Sequence, residues 1–264
     1  MKRGRTLEDR LAVTPALAGL LQAYPNPTLA EMAGLCGYDF IIFDAEHGVF
    51  SEDDHLQGFR ALAATNALAM VRLARYDTHA LGRYLDMGAE GILVPNVTTA
   101  DEADGLARAM QYPPAGTRGF GASAHRVTDY GLTVASHLSG PRAGVCLLVL
   151  IESALGVRNI DGILAVDGVD GVIIGPSDLT ADLGQPRNFA QPAYIEAVER
   201  IERSAIRHGK LYGTTPHPGF PVETLIARGH RLLILDSDVS VIRDALSAPL
   251  ARARACFGSS EPAR

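Results

Sequence analysis

The sequence has few cysteines and no excess of positive charge. Its 264 residues include three cysteines, Cys36, Cys146 and Cys256, which lie far apart and form no C-x-x-C pair. This spacing excludes a zinc knuckle and a disulfide framework, and we interpret the cysteines as small buried hydrophobic residues in a reducing compartment. Twenty-four lysines and arginines against thirty acidic residues give a formal net charge of −6. Because nucleic acids and anionic membranes attract basic surfaces, neither is an expected partner.

The sequence also lacks a hydrophobic run long enough to cross a bilayer. The longest, around residues 145–151, is far shorter than the roughly 18 residues required, and we interpret it as a core strand. Basic residues near the start imitate a secretory signal, but Glu8 and Asp9 interrupt the segment and no small-residue cleavage site follows. We therefore expect a cytoplasmic protein.

What the chain does contain is a repeating pattern of short apolar runs and helix-length segments. The runs are continuously apolar, which is typical of parallel strands covered on both faces. Eight strands alternating with helices predict a (β/α)₈ TIM barrel. The predicted strands are Leu17–Leu21, Tyr38–Asp44, Leu68–Ala74, Gly91–Val97, Val145–Ile151, Gly171–Ile174, Lys210–Thr214 and Arg231–Asp236.

No linker or shift of composition divides the sequence, so we expect one barrel domain over residues 1–264. Its core is expected to span about residues 17–248, with residues 1–12 and 257–264 flexible. The segment 111–141 is rich in Gly, Pro, Arg and Ser and is long for a connection in a compact barrel. Long loops of this kind are usually functional or mobile.

Catalytic groups of such barrels project from the carboxyl ends of the strands. Four strands carry polar residues at these ends, and we expect their side chains to meet at one mouth. They are the second strand with Glu46 and His47, the third with Arg72, the fifth with Glu152, and the sixth, which runs into Gly175, Pro176, Ser177 and Asp178.

Glu152 and Asp178 come from neighbouring strands and have no cation nearby in the sequence. Two facing carboxylates repel unless a proton or a metal lies between them. Oxygen ligands with room for water and substrate favour Mg²⁺ or Mn²⁺, and Co²⁺ could substitute. A structural role remains the alternative for two of the acidic residues: Asp178 could cap a helix, and Asp86 could lie on an exposed helix face.

The same holds for the two basic candidates. Arg72 stands in the middle of an apolar strand, so it requires a buried anionic partner or ligand. Its structural alternative is an internal salt bridge to Asp44 or Asp86. His47 could equally be a structural histidine of a loop.

Taken together, the motifs resemble the HpcH/HpaI family of class II aldolases, over roughly residues 17–240. The matching segments include Phe43-Asp44-Ala45-Glu46-His47-Gly48, Val71-Arg72, Leu85-Asp86-Met87-Gly88, Tyr112-Pro113-Pro114, Ile151-Glu152 and Gly175-Pro176-Ser177-Asp178. The resemblance implies a metal-dependent, hexameric barrel enzyme that cleaves a 4-hydroxy-2-oxo acid into pyruvate, or a related 2-oxo acid, and an aldehyde, in the catabolism of aromatic compounds or sugar acids. The aldehyde pocket is expected to include the 111–141 loop.

The resemblance also implies a role for each candidate. Glu152 and Asp178 resemble the metal ligands, and Arg72 resembles the group that binds the 2-oxo oxygen. His47 and Asp86 resemble an acid–base dyad. Glu46 resembles the residue that holds a metal-bound water. The backbone of Gly175, Pro176, Ser177 and Asp178 resembles the site of the pyruvyl carboxylate. The family usually has Gln where this chain has Leu150, so the sequence predicts a less polar pocket.

Three other functions compete with this hypothesis. A Schiff-base aldolase requires a lysine at the mouth, but the chain has only Lys2 and Lys210, and Lys210 opens its strand and so belongs at the opposite end. A second rival is another metal-enolate lyase or hydrolase of the same barrel type. The third is a non-catalytic barrel that binds a 2-oxo acid.

Overall fold

The structure, a computed structural model, describes residues 6–121, 123–138 and 144–257. Eight parallel strands close into a barrel in sequence order, which confirms the predicted (β/α)₈ architecture and its single domain. The strands are β1 (Leu17–Gln22), β2 (Phe40–Asp44), β3 (Leu68–Arg72), β4 (Gly91–Val94), β5 (Cys146–Ile151), β6 (Gly171–Ile174), β7 (Leu211–Thr214) and β8 (Leu232–Ser237).

Helices pack outside the barrel. Asp77 caps one of them by accepting from the backbone N–H groups of His79 and Ala80, and left-handed Gly88 ends the same helix. The helices are α1 (Leu7–Leu11), α2 (Pro27–Cys36), α3 (Glu52–Leu62), α4 (Thr78–Met87), α5 (Ala100–Ala109), α6 (Val134–Leu138), α7 (Ala154–Arg158), α8 (Ile160–Leu164), α9 (Pro176–Asp182), α10 (Pro192–His208), α11 (Val222–Ala227) and α12 (Asp238–Phe257).

The core has two layers because successive side chains of a strand point to opposite faces. Ile41 and Phe43 of β2 pack outward against the helices, whereas Phe40 and Ile42 fill the barrel interior. Asp44 continues the inward series at the end of the strand. By the same alternation Leu148 and Leu150 of β5 point inward and are followed by Glu152. The strand register therefore decides which polar groups face the mouth.

The periphery of the barrel bears on two expectations from the sequence. Within residues 1–12, Leu7 and Leu11 of α1 are buried against the cluster that fills the barrel interior, and the flexibility of this segment stays a prediction. Cys146 is buried as expected, whereas Cys36 and Cys256 are exposed, so their interpretation as buried residues is wrong. Residues 1–5 and 258–264 lie outside the described residues. None of the described helices is both long and apolar enough to span a membrane.

The long connection 111–141 contains a 3₁₀ turn at Arg126–Thr128 and the helix α6. Residue 122 and the end of the connection, 139–141, lie outside the described residues. Its Arg118 and His125 turn back toward α4, where both approach the carboxylate of Asp86. The connection therefore contributes polar side chains near the mouth.

Candidate active site

On one side of the mouth, Asp44 and Arg72 form a buried ion pair. Their strands are in register at this pair, and Nε and Nη2 of Arg72 donate to the two oxygens of Asp44 at 2.8 and 2.7 Å. The backbone N–H groups of Glu46 and His47 also donate to Asp44. Burial alone raises the pKa of Asp44, but Arg72 outweighs it and holds that pKa below its usual range. The salt bridge considered for Arg72 thus exists, and its partner is Asp44.

Glu46 reaches from the β2 loop toward the same guanidinium. Its Oε2 lies 3.2 Å from Nη1 of Arg72, yet this buried oxygen accepts no hydrogen bond within the described structure. Burial is the main cause that raises the pKa of Glu46, and Asp178 adds to it through charge repulsion. Glu46 therefore stands between the paired residues of β2–β3 and the acidic residues of β5–β6.

On the other side of the mouth, Glu152 is a buried carboxylate that forms no ion pair with the described residues of the chain. Its side chain follows β5, and the residue is only 8% exposed. Burial raises its pKa to about 7, and the charges of Glu46 and Asp178 contribute in the same direction. Arg72 and the backbone N–H of Asn96 oppose the shift without cancelling it. This carboxylate is therefore held in a position where its charge is unfavourable.

The close approach of Glu152 to β6 depends on a glycine. A Cβ atom added to Gly175 would lie 2.8 Å from Oε2 of Glu152. Gly175 is also the N-cap of α9, and no side chain caps this helix. The reading of Asp178 as the cap is therefore wrong: the residue lies inside the first turn of α9. The charge of Asp178 is one of the causes that raise the pKa of Glu152.

These groups surround a cavity of about 330 Å³ at the carboxyl ends of the strands. Its polar wall includes Arg72, Glu152, Ser177 and Asp178, which the sequence predicted to meet. The floor is apolar and is formed by Leu21, Leu93, Leu150, Ile173 and Ile234. Leu150 thus lies where the resemblance places a glutamine, and the pocket is less polar there, as expected from the sequence.

The predicted pair of His47 and Asp86 is not joined within one chain. His47 is largely exposed, and its Nε2 lies 4.0 Å from Oε2 of Glu46. Asp86 is instead bound by Arg118 at 2.7 Å, with Nδ1 of His125 at 3.7 Å. No hydrogen bond or ion pair connects His47 with Asp86 within the described ranges. The reading of Asp86 as a residue of an exposed face is also wrong, since its side chain is only 19% exposed.

Sequence reasoning missed three residues of the cavity wall, Arg187, Phe189 and His217. Arg187 and Phe189 belong to the connection between α9 and α10, and His217 follows β7. The proximity of His217 to the end of β7 was a usable signal, because polar residues after barrel strands reach the mouth. Nothing in the local sequence of the α9–α10 connection indicates that it folds back over the mouth.

The donor set fits a hard divalent cation. Glu152 and Asp178 supply oxygen ligands, and Glu46 adds a buried oxygen without a hydrogen bond. No group of three or more metal-binding side chains is assembled among residues 6–121, 123–138 and 144–257. Hard divalent cations such as Mg²⁺ can be bound by one or two carboxylates, with water and substrate at the other positions.

The fold and the mouth define a (β/α)₈-barrel enzyme whose acidic pocket fits divalent-metal chemistry rather than Schiff-base chemistry. Lys210 lies at the amino end of β7, where its Nζ donates to the carbonyl groups of Val166 and Val169, as the sequence predicted. The chain belongs to the HpcH/HpaI aldolase/citrate lyase family, whose family model matches residues 18–243. The family resemblance drawn from the motifs is thereby confirmed.

Relatives of known name cover most of the chain. It is 34% identical over 235 residues to 5-keto-4-deoxy-D-glucarate aldolase of Shigella dysenteriae, covering 89% of this chain and 91% of that protein. It is 35% identical over 233 residues to hydroxypyruvate/pyruvate aldolase of Agrobacterium fabrum, covering 88% and 86%. A crystal structure of an HpcH/HpaI aldolase/citrate lyase family protein from Burkholderia cenocepacia superposes with a TM-score of 0.87 at 28% identity, covering 94% of this chain and 98% of that one.

Proposed function

We propose that the protein catalyses the reversible, metal-dependent aldol cleavage of a 4-hydroxy-2-oxo acid into pyruvate, or a related 2-oxo acid, and an aldehyde. The observation that carries the proposal is the geometry of the mouth, where buried Glu152 lines one cavity with Asp178 and Arg72. The charges of Glu46 and Asp178 repel that of Glu152. A divalent cation would remove this repulsion, and Arg72 stands beside it as a fixed positive charge. The names of the related aldolases support the same reaction class.

Glu152 and Asp178 would hold the cation, with Glu46 contacting a water molecule beside it. Mg²⁺ and Mn²⁺ suit these oxygen ligands, and Co²⁺ could replace them. When bound, the cation supplies Lewis-acid stabilisation of negative charge on the 2-oxo oxygen. The protein supplies the rest of the chemistry from the mouth residues.

Arg72 donates hydrogen bonds toward the 2-oxo oxygen, where charge accumulates as the C3–C4 bond breaks. Its bidentate contact with Asp44 fixes the guanidinium before substrate arrives. The backbone from Gly175 to Asp178, at the start of α9, binds the carboxylate of the 2-oxo acid. These contacts orient the substrate over the apolar floor.

His47 acts as the base. It takes the proton of the 4-hydroxyl group, the C3–C4 bond breaks, and the electron pair moves into the enolate of the 2-oxo acid while the aldehyde leaves. A proton then adds to C3 of the enolate. Asp86 is proposed to orient His47; since Arg118 holds Asp86 in the single chain, their pairing requires a rearrangement or a second copy of the chain.

The experiment that tests the proposal is deuterium exchange at C3 of pyruvate, followed by NMR, in chelated protein and after addition of Mn²⁺ or Mg²⁺. We expect exchange only with metal, and its loss in Glu152→Gln. Glu199→Gln removes an exposed carboxylate of α10 and serves as the matched control, with exchange unchanged. Absence of exchange with every metal would reject pyruvate as the enolate-forming substrate.

The proposed dyad is tested separately by the pH profile of cleavage. His47→Ala should lower kcat by about 100-fold or more, the usual range for a general base. Asp86→Asn should shift the acidic limb of the profile if it orients His47, whereas a merely structural Asp86 leaves the limb in place. Normal cleavage by His47→Ala would remove this residue from the mechanism.

We also propose that the protein is a homo-oligomer, a hexamer by resemblance to its family. The support comes from α12, whose residues 241–252 are exposed over more than three turns, including Ile242, Leu246 and Leu250. An isolated chain rarely leaves such an apolar helix uncovered. Light scattering on the purified protein measures the mass of the assembly, and a monomer would contradict the proposal.

A further inference from the structure

Arg187 lines the mouth cavity together with Arg72, Glu152 and Asp178, yet the reaction proposed above gives it no role. The guanidinium of Arg72 is held by Asp44 and lies beside Glu46, and the proposed reaction assigns it to the 2-oxo oxygen. Arg187 is exposed and forms no ion pair within the part of the chain that the structure describes. The wall of the cavity therefore contains one cation that is available to a ligand.

The backbone of Arg187 is unusual. Its φ angle is +60°, in the left-handed region that residues with a Cβ atom seldom adopt. Its N–H donates to Oγ1 of buried Thr180 at 2.9 Å, and that hydroxyl donates to the carbonyl of Ser177 at 2.8 Å. Arg187 is thus tied to α9, the helix that carries Ser177 and Asp178.

The rest of the connection between α9 and α10 is hydrogen-bonded as well. Buried Gln191 donates from Nε2 to the carbonyl of Gln185 at 3.2 Å, and the N–H of Asn188 donates to the same carbonyl at 3.0 Å. The position from which the Arg187 side chain extends is therefore fixed before a substrate binds. A loop whose backbone is already ordered loses less conformational freedom on binding, which favours recognition of an anion by the side chain it carries.

We propose that Arg187 binds a carboxylate carried by the aldehyde portion of the substrate, so that the enzyme prefers acidic aldehydes. This inference rests on the aldolase function proposed above. Arg72 and the start of α9 hold the 2-oxo acid end, which leaves Arg187 for the other end of the molecule. Glu152 and Asp178 repel an anionic ligand, and a guanidinium offsets this repulsion with paired hydrogen bonds to a carboxylate. A single free cation matches a carboxylate better than a doubly charged phosphate.

The test measures condensation of pyruvate, in the presence of Mn²⁺, with three aldehydes: succinic semialdehyde, uncharged butanal and glyceraldehyde 3-phosphate. Arg187→Gly should lower kcat/KM for succinic semialdehyde by about 10- to 100-fold, the usual size of a charge-assisted hydrogen bond. The value for butanal should change by less than about twofold, because only the carboxylate contact is lost. Arg187→Lys should restore part of the preference.

Folding does not confound this test, because glycine suits a φ of +60°. Arg187→Gly should keep the melting temperature of the wild type, and Arg203→Ala, which removes an exposed arginine of α10, should behave as the wild type in every assay. Exchange of deuterium into pyruvate should be unchanged in Arg187→Gly.

Other outcomes would overturn the inference in distinct ways. Equal losses with succinic semialdehyde and butanal would show that Arg187 shapes the loop and binds no carboxylate. A larger loss with glyceraldehyde 3-phosphate would assign a phosphate instead, and loss of pyruvate exchange would place Arg187 at the 2-oxo acid end. If the wild type exchanges no deuterium into pyruvate with any metal and condenses pyruvate with none of the three aldehydes, the use of pyruvate on which this inference rests fails, and the inference fails with it.

Discussion

The two sides of the mouth treat buried charge in opposite ways. On β2 and β3, Asp44 is neutralised by a bidentate arginine, so its pKa falls below the usual range. On β5 and β6, Glu152 faces further carboxylates, and its pKa rises to about 7. On the first side, the buried charges are paired without a ligand. The second gains stability when a cation binds, and this difference separates the group that is fixed in advance from the groups that capture a metal.

The largest effect is expected from breaking the ion pair of Asp44 and Arg72. Arg72→Met leaves Asp44 buried without its partner and should lower the free energy of unfolding by about 3–5 kcal/mol. The double variant Arg72→Met/Asp44→Asn should regain most of this loss. Urea denaturation measures both.

Arg83→Met serves as the control for that experiment, since the pair of Arg83 and Glu52 is half exposed and should contribute less than about 1 kcal/mol. A similar cost for Arg72→Met and Arg83→Met would show that the pair in the mouth is no more important than one on the surface.

The second effect is the dependence of stability on pH and metal at Glu152, on the side of β5 and β6. The pKa of Glu152 rises from 4.5 to about 7 on folding, so between these values the folded state binds more protons than the unfolded state. Without metal, this group's contribution to stability is complete below pH 4.5 and is lost by about pH 7, a change of about 3 kcal/mol.

Glu152→Gln should remove that part of the pH dependence. In the wild type, Mn²⁺ at pH 8 should raise the melting temperature, and in Glu152→Gln it should raise it far less. Thermal unfolding from pH 4 to 8 with and without metal measures these effects. An identical pH dependence in both proteins would contradict the assignment of the raised pKa to Glu152.

A smaller effect is expected at the floor beneath Glu152. Leu150→Gln should introduce a hydrogen-bond donor toward the 2-oxo acid and lower KM for pyruvate by about tenfold, at a cost of about 1–2 kcal/mol in stability. Leu150→Met keeps the floor apolar and should leave KM unchanged. If both variants bind pyruvate equally, residue 150 does not contact this part of the substrate.

The smallest effect is expected at Glu46, which lies between the two sides. Its charge is the second cause of the raised pKa of Glu152. Glu46→Gln should therefore narrow the pH window over which stability is lost, from pH 4.5 to about pH 7 in the wild type, by less than about one pH unit. Asp53→Asn, on the exposed surface of α3, should leave the window unchanged. A wider window for Glu46→Gln would mean that its charge favours ionised Glu152.

Much of the fold was predictable because local patterns decide it. All eight predicted strands occur, and their ends differ by a few residues at most: Tyr38–Asp44 was predicted where β2 begins at Phe40. The convergence of Arg72, Glu152, Ser177 and Asp178 on one cavity followed from the parallel barrel alone. Parallel strands place all their carboxyl ends on the same side, so the position of a residue along its strand predicts its place at the mouth.

What the sequence did not predict depends on contacts between distant segments. Arg118 reaches Asp86 across 32 residues of sequence, which separates Asp86 from its predicted partner His47 in the single chain. Arg187 enters the cavity wall through a loop whose path is set by hydrogen bonds to Thr180. Neither position follows from periodicity or from a short motif.

The sequence by itself therefore determined the barrel fold, the position of polar residues at the carboxyl ends of its strands, and the family to which the chain belongs. The tertiary structure decided which charges are neutralised: Arg72 pairs with Asp44 and Arg118 with Asp86, whereas Glu152 forms no ion pair within residues 6–121, 123–138 and 144–257. The physical reason is that strand periodicity is a local property, whereas the charge state of a buried carboxylate depends on burial and on neighbours supplied by remote segments.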